Sequence, residues 1–146
     1  MSKVIEVLNK VLIDNDPLKA MLASAIFDED APAIYDSWAE QDVKFPYIVI
    51  TYRFPAGDHW AKKSGIANVD IFTKGNSSVE AENIKERVMK LWDRRRFESE
   101  ESGPAIRVYS NSDGVIPEDT PNVVHWNIEF NVVFWRKAFI SQLMGE

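Results

Sequence analysis

The stretch His125-Trp126-Asn127-Ile128-Glu129-Phe130-Asn131-Val132-Val133-Phe134 decides the fold. Trp126, Ile128, Phe130, Val132 and Phe134 fall on one side of an extended chain. His125, Asn127, Glu129 and Asn131 fall on the other, the period-two pattern of a strand with one buried and one wet face. At its far end Val133 and Trp135 make both faces apolar.

A half-buried strand needs partners, and earlier runs supply them. Pro46 opens Tyr47 to Phe54, and Ile66 to Thr73 follows with Val69 and Ile71 on one face. Both runs are rich in β-branched and aromatic residues and predict an antiparallel hairpin. Its connection, Pro55 to Gly65, is too long for a tight turn and polar enough to be exposed. Ile106 and Val108 predict a further strand over Ala105 to Tyr109, after the break at Ser102-Gly103-Pro104. Ile34 to Trp38 reads as a short strand. Asp28 to Pro32, the charged run Arg94 to Glu101 and Asn111 to Asn122 read as loops, and Lys137 to Glu146 as a tail.

Helical spacing appears three times. Val4, Ile5, Leu8, Val11 and Leu12 predict a helix over Ser2 to Asp14. Asp16 before Pro17 has the form of an N-cap followed by proline at the first helical position, so Leu18, Met21, Leu22 and Ala25 extend a second helix. Ser77 with Glu80 has the form of a capping box for a third helix, Ser78 to Arg94, carrying Val79, Ile84, Val88, Leu91 and Trp92. The expected fold class is therefore α+β: one domain over residues 1–146, with an antiparallel sheet of four to five strands packed by helices on one face.

Composition agrees. A chain of 146 residues, 45% hydrophobic with five Trp and eight Phe, can bury a core without disulfides or metals. It has no cysteine, which excludes a disulfide framework, a thiolate metal site and a Cys nucleophile and fits an intracellular location. Residues 1–15 lack the continuous apolar core of a signal peptide, and no segment is apolar enough to span a bilayer as a helix. The net charge of −6 argues against nonspecific nucleic-acid binding through the whole surface, leaving room only for a local basic patch, and no specific nucleic-acid binding is expected.

Candidate chemistry is sparse. The two histidines, His59 in the hairpin connection and His125 on the last strand, do not form a helix-borne pair with ligand spacing. Asp28-Glu29-Asp30 and Glu98, Glu100 and Glu101 lack the glycine and oxygen spacing of a calcium loop and read as solvated charge. Ser64-Gly65 and Ser102-Gly103 lack the flanks of a nucleophile elbow. Asn76-Ser77-Ser78 matches a glycosylation acceptor but serves better as a helix cap. No catalytic residue, metal ligand or cofactor-binding residue is assigned. An enzyme reading would have to draw on Asp70, Glu129 and His125.

Thr51, Arg53, Asn68, Asp70, Asn127, Glu129 and Asn131 line up as one polar face across three strands, which solvent exposure explains and which an oligomer could also use. Aromatics outside the expected core, Trp38, Trp60, Phe97 and Trp135, favour association. The candidate assembly contacts are Trp60, Lys62, Lys63, Arg94, Arg95, Arg96 and Trp135. The arginine triplet also suits a helix C-terminus.

Four phrases carry a resemblance: Phe45-Pro46-Tyr47-Ile48-Val49-Ile50, Ala67-Asn68-Val69-Asp70-Ile71-Phe72, the helix from Ser78 to Trp92, and Trp126-Asn127-Ile128-Glu129-Phe130-Asn131-Val132. In this order they resemble the tail terminator and tail completion proteins of long-tailed bacteriophages and prophages. The resemblance implies a non-enzymatic virion assembly protein. It would cap the tail tube as a homo-oligomeric ring, usually a hexamer, and support head–tail joining. The implied partners are further copies of the chain, the tail tube protein and the head–tail connector protein, with no membrane and no cofactor. The implied location is the cytoplasm of the bacterial host during assembly, then the virion tail. A small-ligand-binding or enzyme-accessory domain with a pocket between sheet and helices is the alternative.

Overall fold

The computed structural model describes residues 2–36, 43–55, 62–98 and 104–136. Along them run α1 (Ser2–Ile13), α2 (Asp16–Met21), β1 (Ile34–Asp36), β2 (Tyr47–Arg53), β3 (Lys62–Lys74), α3 (Val79–Trp92), β4 (Arg95–Glu98), β5 (Pro104–Ile116) and β6 (Val123–Arg136). The strands form one six-stranded sheet in the order β1-β2-β3-β6-β5-β4. All neighbours are antiparallel except β1 and β2, which are parallel. The fold is α+β as expected, but the sheet is mixed and has six strands rather than four to five.

The β6 alternation organises the molecule. Ile128, Phe130, Val132 and Phe134 are fully buried, beside Ala67, Val69 and Ile71 of β3, Ile48 and Ile50 of β2, and Ile106 and Val108 of β5. The helices cover this face with Val4, Leu8 and Leu12 from α1, Leu18 from α2, and Ala81, Ile84, Val88 and Trp92 from α3. Each large apolar side chain so buried contributes about 1.5–3 kcal/mol. Trp92 sits edge-on to Phe130, ring centroids 5.2 Å apart, and its Nε1 donates to the Leu8 carbonyl at 3.2 Å, tying α3 to α1.

Several boundaries differ from expectation. Lys62 to Gly65, read as part of the hairpin connection, belong to β3 and pair with Trp135 to Val132. β6 runs long enough to satisfy their backbone groups, so their polar side chains do not end the strand. Residues 56–61 of that connection lie outside the described residues. Gly65 is required there: a Cβ would lie 2.7 Å from the Arg53 carbonyl oxygen and strike the Phe54 ring, which packs on Phe134 with centroids 5.0 Å apart.

β5 continues to Ile116 through the region read as a loop, with an irregularity between Ser110 and Ser112. Within the charged run, Arg95 to Glu98 form β4 against β5. α2 ends at Met21, and Ala25 lies in an excursion closed by the Ser24–Pro32 bridge and the Ala25 N–H to Ala31 carbonyl bond. The cap of α2 is Asn15, whose Oδ1 accepts from the Leu18 N–H at 2.9 Å, not Asp16. α3 begins after Ser78 without a side-chain cap bond, while the Ser77 hydroxyl accepts from the Val79 N–H at 3.2 Å, so the reciprocal capping box is not formed.

Candidate functional site

Paired residues in an antiparallel ladder share a face, so the register fixes what lies on the side of the sheet away from the helices. Val49, Asp70, Asn127 and Gly114 stand in one row across four strands, and Tyr47, Phe72, His125 and Ile116 in the next. Thr51, Asn68 and Glu129 form a third row, and Arg53, Ile66 and Asn131 a fourth. The seven polar residues therefore share a face, as the alternation predicts. That face is not uniformly wet. Ala33, Tyr35 and Val49 are buried on it, with Ala23, Val43, Tyr47 and Phe72 packed against them.

From this corner an aromatic series crosses the sheet. Phe27 meets Tyr35 edge-on at 6.3 Å, Tyr35 meets Tyr47 at 6.1 Å, Tyr47 stacks on Phe72 at 4.9 Å, and Phe72 stacks on the His125 ring at 4.2 Å. Burial holds the Tyr47 hydroxyl above its ordinary pKa, with smaller contributions from the Glu118 charge and from Tyr35. The Tyr52 hydroxyl, on the helix side, is also raised, first by burial and then by Asp36, and it donates to Asn9 of α1.

His125 ends the series held by two carboxylates. Its Nε2 lies 2.7 Å from Asp70 Oδ1 and its Nδ1 2.7 Å from Glu118 Oε1. Asn127 Nδ2 donates to the same Asp70 oxygen at 2.9 Å. Of the three residues an enzyme would have to draw on, Asp70 and His125 do meet, but Glu129 does not join them: it accepts from Asn111 Nδ2 on β5. The second carboxylate is Glu118, in the connection between β5 and β6, where strand parity carries no information. General-base work needs an imidazole nitrogen with an unengaged lone pair facing a substrate. Here each ring nitrogen already faces a carboxylate.

The candidate assembly contacts separate. Trp60, like Trp38, lies outside the described residues. Lys62 is exposed and pairs directly with Trp135, which is half-buried on the outer face. Lys63 points the other way, its Nζ donating to the Pro55 carbonyl at 3.2 Å. Arg94 takes a left-handed turn conformation with φ of 58°. Arg95 donates from Nε to the Lys90 carbonyl at 3.2 Å, the helix C-terminal role its position suggested. Arg96 alone of the triplet reaches Trp135, its guanidinium carbon 5.5 Å from a ring centroid, while pairing with Glu98 at 3.2 Å. Phe97 is half-buried against the core rather than free at the surface.

Between α1 and β4 lies an open groove of about 500 Å³ lined by Val7, Lys10, Val11, Asp14, Arg96, Phe97 and Glu98. It sits where α1 meets β4, the edge strand of the sheet. Among the described residues no group of three or more His, Asp or Glu side chains is placed to hold a metal ion, and no helix is long and apolar enough to cross a membrane.

With this geometry in place, a solved chain from the virion of a native gene transfer agent particle superposes with a TM-score of 0.67 at 10% identity. The match covers 89% of this chain and 92% of that one. The chain shares its fold with a virion component. A second solved chain, which carries no functional description, matches with a TM-score of 0.58 at 18% identity over 92% of this chain and 95% of that one. No protein-family model and no curated protein sequence matches the chain.

Proposed function

We propose that the protein is a structural virion assembly protein of the tail terminator type, which caps the tail tube as a ring and supports head–tail joining. The observation that carries this is the near end-to-end likeness to a chain of the gene transfer agent virion, in a molecule where the same element order resembles tail terminators. Its partners on this reading are further copies of itself, in a ring of six, the tail tube protein and the head–tail connector protein. It acts in the host cytoplasm during assembly and remains in the virion tail. On this reading it works by contact rather than by catalysis.

Deletion of the gene from an inducible prophage tests the proposal. The expected result is tails of uncontrolled length and heads that do not join, both restored by the gene supplied in trans. Normal infectious particles from the deletion would reject it. A Trp60→Ala variant in the same complementation assay is expected to fail in tail completion with its melting temperature nearly unchanged. Full activity in that variant would remove Trp60 from the contacts.

A further inference from the structure

The Asp70–His125–Glu118 arrangement has a chemical consequence that ring formation does not require. A neutral imidazole carries one N–H, so it can donate to one carboxylate only, and its second nitrogen presents a lone pair. With both nitrogens 2.7 Å from carboxylate oxygens, only the imidazolium satisfies both contacts. The side chains are sheltered, His125 at 13% exposure, Asp70 at 21% and Glu118 at 28%, so water competes weakly for these bonds.

The two sides of the clip are unequal. Asp70 is fixed in β3 at the middle of the sheet and keeps the Asn127 amide as a second donor. The His125 ring is held flat on Phe72. Glu118 stands in the connection 117–122, which is otherwise anchored by the Gly75 N–H to the Asn122 carbonyl at 2.7 Å. Gly75 has φ of 131°, and Asn122 φ of 63°, so this anchor is itself a specialised turn. When the ring gives up a proton, Glu118 is the partner free to leave.

We propose that His125 is a proton-operated clip that holds the β5–β6 connection against the sheet when doubly protonated and releases Glu118 when neutral. The charged and titratable groups around the ring are Asp70 from β3, Glu118 from the connection and the Tyr47 hydroxyl from β2, with Lys74 farther along β3 over the Phe45 ring at 5.4 Å. The paired neighbour from β5 is Ile116, which carries no charge. The tether to both carboxylates is present while the ring carries two N–H groups and is lost on the Glu118 side when it carries one.

The test is amide exchange in the full-length chain between about pH 5 and pH 8, the range in which histidine changes charge, read beside the ring carbon shift of His125. After correction for intrinsic rates, the Gly75 amide, whose N–H is held by the Asn122 carbonyl of the connection, is expected to exchange roughly three- to tenfold faster at the top of the range, as release of the connection allows. The midpoint should match the ring titration. His125→Gln should exchange fast at every pH. Glu118→Gln, which leaves the sheet intact, should show no pH step, because a glutamine amide can accept from the protonated ring through its oxygen and donate its N–H to the lone pair of the neutral ring. A parent protein without the step, a step that persists in Glu118→Gln, or an equal step in the α3 amides from Ile84 to Val88 would each overturn the clip.

Discussion

Thr73 closes the row of β3 side chains that faces the helices, following Ala67, Val69 and Ile71, and it is the buried polar side chain of that core. Its hydroxyl has no hydrogen-bond partner among the described residues. A buried hydroxyl left unpaired costs roughly 1–3 kcal/mol, and replacing it with a methyl of the same shape removes that cost. Thr73→Val is therefore expected to raise the unfolding free energy by about 1 kcal/mol, read as a higher urea midpoint at unchanged slope. A lower midpoint would mean that the hydroxyl has a partner in solution. Trp92 shows the contrasting case, an indole N–H buried in the same core but satisfied by the Leu8 carbonyl. The candidate site was partly legible at this scale. Asp70 and His125 carry the right parity along their strands to share a face, and the register brings them together. Glu118 was not legible, because a residue in a connection has no parity, and only the path of the chain returns it to His125.

At the scale of elements, a cap can be distinguished from a residue that merely resembles one. Asn15 accepts from the Leu18 N–H, one of the four donors that a helix start leaves unpaired, whereas Ser78 makes no such bond at α3. Asn15→Ala is expected to lower the unfolding free energy by about 1 kcal/mol, the usual cost of a lost N-cap. Ser78→Ala should stay within about 0.5 kcal/mol of the parent. Equal losses in parallel denaturant titrations would contradict the assignment. The same scale explains which strands could be read. β6 and β3 each bury one face, so hydrophobic periodicity marks them, while β2 buries Ile48, Val49 and Ile50 in succession and is marked by its β-branched and aromatic run. β4 is an edge strand of four residues, Arg95-Arg96-Phe97-Glu98, three of them charged and exposed, and it is held by backbone pairing to β5 rather than by burial. Charged, short edges discourage unwanted pairing and also erase the sequence signal. β5 beyond Ser110 is unreadable for a related reason: it leaves the shelter of the helices, and its Asn111, Ser112 and Asp113 look like turn residues.

At the scale of the whole molecule the two faces of the sheet have different work. The helix side is closed by the core, and the outer side offers the Asp70–His125–Glu118 cluster at one end and the Arg96–Trp135 contact at the other. The second end gathers three of the candidate assembly contacts: Lys62 lies opposite Trp135 on β3, and Arg96 reaches the same ring from β4, two strands away. Within one copy this contact is worth little. An exposed cation–π pair contributes about 0.5–1 kcal/mol, and the Arg96–Glu98 ion pair, with both side chains more than half exposed, contributes less than about 1 kcal/mol. Desolvation by a neighbouring copy would strengthen both, since arginine and tryptophan carry much of the energy at interfaces. Arg96→Glu is therefore expected to leave the unfolding free energy within about 1 kcal/mol of the parent while abolishing tail completion in the complementation assay. Trp135→Phe, which keeps an aromatic face for the guanidinium, should retain most of the activity. If Arg96→Glu completes tails normally, the pair belongs to the surface of the monomer alone. If it instead unfolds the protein, its role is to hold β4 on the sheet, and Arg96 is not an assembly contact.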